Sequence, residues 1–365
     1  MKATRLLHNQ GQSLWLDNIT RDLLNSGTLK RYIDELSVTG LTSNPTIFDH
    51  ALKNSTAYDV AIRDHRAEGK SAEDLFFDLA LDDLTRAADL FRPVFDRTNG
   101  VDGWVSLEVS PSLAHDAVRT IAAAKELSAR AERPNLFIKI PGTKEGLPAI
   151  EEAIFAGVPV NVTLLFSREH YVAAAEAYLR GIERRIAAGL NPRVGSVASM
   201  FISRWDVALA DKVPPALNNL LGIAMAGRIY RAYLGLMGTP RWLSAYNAGA
   251  QPQRLLWAST GTKDPKAPDT LYVTALAAPF TVNTMPEGTL KAFADHGEIG
   301  PLMPPDGGDC ERTLDRFDEP GVNLDGLAAR LQDEGTKSFS KSWEELMTVI
   351  AKKSESIKQA ARPGD

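Results

Sequence analysis

Eight short apolar runs, many rich in β-branched residues, recur along the chain: LWLDN (14–18), VTGLTSN (38–44), WVSLEVS (104–110), LFIKIPG (136–142), PVNVTLLF (159–166), GSVASMFIS (195–203), RLLWAST (254–260) and FTVNTM (280–285). Several are apolar on both faces, as strands are when helices cover both sides of a parallel sheet. Helical spacing separates them. Between the fourth and fifth runs, Leu147, Ile150, Ile154 and Phe155 repeat with a helical period that stops at Gly157. After the fifth, Ser167 is placed to cap a helix whose stripe is Tyr171, Ala175, Tyr178, Leu179, Ile182 and Ile186, ending near Gly189. Residues 205–250 and 305–350 read as further helices. The expectation is an α/β fold, a closed eight-stranded parallel barrel with additional helices, formed by residues 1–365 as one domain.

Of the 365 residues, 44% are hydrophobic and 24% charged, with a net charge of −5. That balance suits a globular chain with a large core and gives no reason to expect nucleic-acid or anionic-membrane binding. No window approaches the ~18 apolar residues of a membrane span, and the N-terminus lacks an apolar signal core. The single Cys310 excludes an internal disulfide or a multi-cysteine metal site, and fits a reducing cytoplasm. The expected partner is a small molecule; whether the chain is a monomer or a homodimer is not written in the sequence.

Lys139 sits inside LFIKIPG, where a strand would bury it. Burying an ammonium is costly, so the residue needs a carboxylate partner, an escape to the strand end, or a chemical role. Parallel barrels place their chemistry at the C-terminal ends of the strands. The polar residues cluster there: Asp17, Asn44, Glu108, Lys139, Asn161, Thr163, Ser199, Arg204 and Ser259. Each has a plain structural reading; Asp17 and Asn44 suit caps or turns, and Glu108 suits a partner for a structural cation.

Together they meet the needs of one reaction. A lysine amine must be neutral to attack a ketone, and burial can bring a lysine from ~10.4 to ~7 or 8. Dehydrating the resulting carbinolamine, and later cleaving a carbon-carbon bond, needs a carboxyl that passes protons directly or through a held water, which suits Glu108 and Thr163. Asp17 would accept a substrate hydroxyl proton. Asn44 and Asn161 would fix polyol hydroxyls, and Arg204 with Ser259 an anionic tail. There is no Gly-x-Gly-x-x-Gly or Walker sequence, no His-x-x-x-His pair for zinc, and no serine elbow.

GLTSNPTIF (40–48) and IKIPGTKEGLPAI (138–150) resemble the two signatures of the transaldolases, and VNVTLLFS (160–167) and ASMFISRWD (198–206) match in order and spacing. The resemblance implies a (β/α)8 TIM barrel with a C-terminal helix near the barrel mouth, no metal and no organic cofactor. It implies a transferase of the pentose phosphate pathway that moves a dihydroxyacetone unit from sedoheptulose 7-phosphate to glyceraldehyde 3-phosphate. Carried over by residue, Lys139 forms the Schiff base, Glu108 and Thr163 handle the catalytic water, and Asp17 takes the proton in cleavage. Asn44 and Asn161 bind the dihydroxyacetone unit, and Ser199, Arg204 and Ser259 the phosphate side. One departure stands out: many relatives have an arginine two positions after Ser259, where this chain has Gly261, with Lys263 further on as the expected substitute. The alternatives are a fructose-6-phosphate aldolase, for which the position of Phe201 would favour a tyrosine, and a barrel that only binds sugar phosphates.

Overall fold

A computed structural model describes residues 1–66 and 69–360. Its centre is a closed barrel of eight parallel strands in chain order: β1 (Ser13–Asp17), β2 (Val38–Thr42), β3 (Val105–Glu108), β4 (Leu136–Pro141), β5 (Val160–Leu165), β6 (Ser196–Phe201), β7 (Gln253–Ala258) and β8 (Val282–Met285). The pairing of β8 with β1 closes the ring. Each strand falls within or beside one of the apolar runs, because a barrel strand is covered outside by helices and filled inside by its own side chains.

The interior is packed below the polar layer. Trp104 stacks on Phe137 with ring centroids 4.0 Å apart, and Trp15 lies 6.2 Å from the same phenylalanine. These rings need space on neighbouring strands. A Cβ at Gly40 would come within 2.5 Å of the Trp15 ring, and one at Gly195 within 2.6 Å of Trp104. Substituting either glycine would therefore push a large ring out of a close-packed core.

The helices begin and end where the local chemistry dictates. The Ser167 side chain accepts from the His170 amide to start the helix Arg168–Ala187. Gly157 ends the helix Gly146–Ala156 in a left-handed conformation with φ of 89°. The expected stripe on the former is buried from Tyr171 through Ile182, but Ile186 is exposed, because it lies in the last turn beyond the barrel's cover. A 26-residue helix (Ala72–Arg97) and the helix Ala117–Ala131 complete the wall before β3 and β4. The C-terminal helix (Leu324–Ala360) is longer than the tail pattern suggested, and it runs against the helices Pro45–Asn54 and Asp59–Arg66 and the end of β5.

Candidate active site

Register does the first work of assembly. Glu108 pairs with Lys139 across β3 and β4, and Lys139 with Asn161 across β4 and β5. Residues paired across parallel strands project to the same side, so the carboxyl, the amine and the amide form one inward row. The next inward row up holds Thr163 and Ser199. Beyond Thr163 the pairing of β5 with β6 shifts register, and Leu164 takes a left-handed backbone, φ of 58°.

Lys139 is 5% exposed and its Nζ lies 3.2 Å from Glu108 Oε2. The ammonium also donates to the Ser43 carbonyl just after β2, at 3.1 Å. Lysine burial is thus matched by a carboxylate, the structural option raised by the sequence. Yet the pair is not closed: neither Glu108 oxygen has a well-aligned hydrogen bond, nor does the Thr163 hydroxyl, although all three atoms are buried. Buried polar groups left in this way call for an explanation, and here three of them lie beside a buried amine. Burial pushes the Glu108 carboxyl above its ordinary value, an effect that Lys139 opposes and Asp17 reinforces. The group can therefore hold and release a proton nearer to neutrality than an exposed glutamate.

Asp17, at the end of β1, accepts from the Thr42 hydroxyl at 2.7 Å, and Thr42 in turn meets Thr284 at 2.7 Å. Its carboxyl is also raised, chiefly by burial, against the lowering effects of Lys139, the Thr42 bond and Lys263. These side chains open into a cleft of about 560 Å³ at the C-terminal end of the barrel, lined among others by Asp17, Asn44, Lys139, Thr163, Ser199, Phe201, Arg204 and Ser259. Seven strand ends or the loops that follow them contribute to its wall or floor.

The structure separates the remaining expected residues by depth. Asn44 serves as a cap, its side-chain oxygen accepting from the Ile47 amide at 3.1 Å, which leaves its amide nitrogen to offer donors at the cleft wall. Asn161 lies below the floor, fully buried, donating to Ser106 at 3.0 Å and accepting from Ser199 at 2.7 Å. Ser199 is the member of that chain that lines the cleft. The hydroxyls of Ser203 and Ser259 meet at 2.9 Å, and Ser259 is held left-handed with φ of 56°. Arg204 lies with its guanidinium carbon 5.1 Å from the Phe201 ring, and burial lowers its pKa from the ordinary value. Lys263 is exposed and lines a neighbouring cavity of about 370 Å³ with Asp206 and Tyr272. Its charge still reaches Asp17.

Four contributors were not found from the sequence. Thr42 and Thr284 look like ordinary strand residues until the barrel closes β8 onto β1. The Ser43 carbonyl carries no side-chain signal at all. Phe339 comes from the C-terminal helix, its ring centroid 5.6 Å from Lys139 Nζ and 6.0 Å from the Arg204 guanidinium carbon.

The Transaldolase/Fructose-6-phosphate aldolase family model matches residues 14–350. The chain belongs to this family. It is 47% identical to a transaldolase of Thermobifida fusca over 354 residues, covering 94% of this chain and 96% of that protein. It is 44% identical to a transaldolase of Frankia alni, with 93% and 94% covered, and 44% identical to one of Acidothermus cellulolyticus, with 96% of each covered. The family's two signatures thus coincide here with the loop after β2 that supplies Ser43 and Asn44 and with the strand that carries Lys139.

Proposed function

We propose that the cleft carries out transaldolase chemistry, moving a dihydroxyacetone unit from sedoheptulose 7-phosphate to glyceraldehyde 3-phosphate and yielding erythrose 4-phosphate and fructose 6-phosphate. The observation that carries the proposal is a buried amine 3.2 Å from a raised carboxyl, open to a polar cleft. Lys139 attacks the ketone carbon of the donor. Glu108, with a water held between its carboxyl and the Thr163 hydroxyl, passes the proton needed to expel water from the carbinolamine. Asp17 takes the hydroxyl proton as the carbon-carbon bond breaks and the aldehyde leaves. Asn44 and, through Ser199, Asn161 orient the three-carbon unit; Ser199, Ser259 and Arg204 hold the phosphate side, with Lys263 adding charge from the rim.

Transfer is favoured over simple cleavage because Phe201 has no hydroxyl with which to hold a hydrolytic water. A binding-only barrel would have no use for a buried amine beside a raised carboxyl. Every group in this scheme comes from one chain, so a monomer and a homodimer carry the same site. Among the described residues no helix is long and apolar enough to cross a membrane, and a cytoplasmic location is part of the proposal.

Borohydride treatment in the presence of fructose 6-phosphate tests the scheme: an adduct is expected on the peptide containing Lys139, and its absence would remove both enzyme readings. Turnover of fructose 6-phosphate should then require erythrose 4-phosphate. Lys263→Ala should raise KM for fructose 6-phosphate a few-fold, roughly 1 kcal/mol for one exposed charge; an unchanged KM would take Lys263 out of the phosphate site.

A further inference from the structure

We infer that Phe339 decides how the three-carbon intermediate on Lys139 divides between an aldehyde acceptor and water. This rests on the transaldolase reading above, and it assigns a specificity role to a residue more than fifty positions beyond the last barrel strand.

One face of the C-terminal helix is shaped to the site. Gln332 Nε2 donates to the carbonyls of Gly142 at 3.1 Å and Leu164 at 2.9 Å, the first just after β4 and the second next to Thr163 within β5. Gly335 comes next on that face. A Cβ there would lie 2.9 Å from the Leu164 side chain and 3.4 Å from Arg204 Nη1, so the helix backbone lies closer to the barrel than a side chain would permit. Phe339 follows four residues later, on the same face by helical spacing. It lines the cleft yet is only 6% exposed. Its ring centroid lies 5.6 Å from Lys139 Nζ and 6.0 Å from the Arg204 guanidinium carbon, while Phe201 approaches Arg204 as a second ring. Glu334, on the neighbouring helical position, supports the Arg204 charge.

After cleavage the donor fragment remains on Lys139 as an enamine. In transfer, its nucleophilic carbon bonds to the acceptor aldehyde carbon, the aldehyde oxygen takes a proton, and one water then releases the new ketose from the resulting iminium and returns the amine. In the competing path that carbon takes a proton instead, and a water oxygen adds to the resulting iminium carbon. The carbon-nitrogen bond then breaks with a proton returned to nitrogen, freeing dihydroxyacetone and the amine. One water is consumed and nothing is oxidised. The Phe339 ring, 5.6 Å from the amine, has no group to deliver a proton to the enamine carbon, whereas an aldehyde can enter from the cleft.

The test measures free dihydroxyacetone against sedoheptulose 7-phosphate formed from fructose 6-phosphate and erythrose 4-phosphate. Phe339→Ala should raise that ratio about fivefold to tenfold, the size of one desolvated cation-ring contact, with the borohydride adduct on Lys139 retained. Phe339→Tyr, which keeps the ring's bulk and adds a hydroxyl, should also raise it, and carries the test if the alanine variant does not fold. Trp343→Leu is the control: Trp343 packs on Phe76 and Phe77 at 4.8 and 5.7 Å, so its loss should lower Tm and leave the ratio unchanged. An unchanged ratio in the Phe339 variants, or an equal rise in Trp343→Leu, overturns the inference. A parent enzyme with no adduct and no transfer would instead overturn the functional reading.

Discussion

The two ends of the barrel treat buried charge in opposite ways. At the N-terminal end, Arg254 spends its guanidinium on four acceptors: the carbonyls of Phe280 (3.4 Å), Val101 (3.0 Å) and Thr281 (2.9 Å) and the Ser13 hydroxyl (2.8 Å). Ser13 passes its own hydrogen to Asp102, which also accepts from the Trp15 indole at 2.8 Å and the Gly103 amide at 3.0 Å. At the C-terminal end, Glu108 and Lys139 share one contact, and the carboxyl oxygens and the nearby Thr163 hydroxyl keep capacity in reserve. Both ends bury a cation and a carboxyl. Only one leaves them something to do. A saturated network fixes a structure, whereas an unsaturated one costs stability and can bind what completes it.

That contrast can be broken by experiment. Lys139→Leu should abolish transfer, by on the order of 10⁴-fold or more, and should also lower stability to urea by about 3 kcal/mol, because it strands the buried Glu108 carboxyl. A residual rate near that of the parent would mean the amine is structural, like Arg254. Glu108→Gln should lower kcat by about 10²- to 10³-fold without loss of stability. Its pH behaviour sharpens the point. Because the folded carboxyl is raised above 4.5, the folded parent keeps a proton that the unfolded chain has released. Parental stability should therefore fall as pH rises from about 4.5 through the folded pKa, and the glutamine variant should show a shallower fall in urea titrations at graded pH, the remainder coming from raised carboxyls such as Asp17 and Asp206.

At the opposite end, Arg254→Met should cost about 3 kcal/mol of stability by stranding its acceptors, yet leave kcat of the folded fraction within about twofold. A parallel fall in kcat would show that the ends are coupled and the division is false. The smallest effect belongs to Ser259→Gly. Glycine relieves the left-handed backbone at φ of 56°, a gain of about 0.5 to 1 kcal/mol, while the lost hydroxyl should raise KM for fructose 6-phosphate. Stability and affinity moving in the same direction would argue that no strain is held at the phosphate side.

The barrel was legible because its strands announce themselves through apolar, β-branched runs, a local signal that tertiary packing here reinforces. Lys139 and Glu108 were legible for a related reason: a charge inside such a run is a local contradiction. What sequence could not convey is depth. Asn44 and Asn161 read as equivalent amides, yet one caps a helix at the cleft wall and the other lies under the floor. Lys263 read as a phosphate ligand and sits in the adjoining cavity, with only its field reaching Asp17. Phe137, Ile138 and Ile140 flank the amine in sequence. Strand alternation leaves only Phe137 on the inward side with Lys139, and the cover from above is Phe339, whose helical phenylalanine is locally indistinguishable from core.

The position of that phenylalanine also has a meaning in time. Phe339 follows Met285, the last residue of β8, by 54 positions. At the usual pace of synthesis, about 5 to 20 residues per second, roughly 3 to 10 seconds pass between the emergence of the last barrel strand and that of its cover. During that interval a nascent barrel can close with Lys139 still open to solvent. The order of translation thus makes the C-terminal helix the last element to dock, and Phe339 the last residue to reach Lys139.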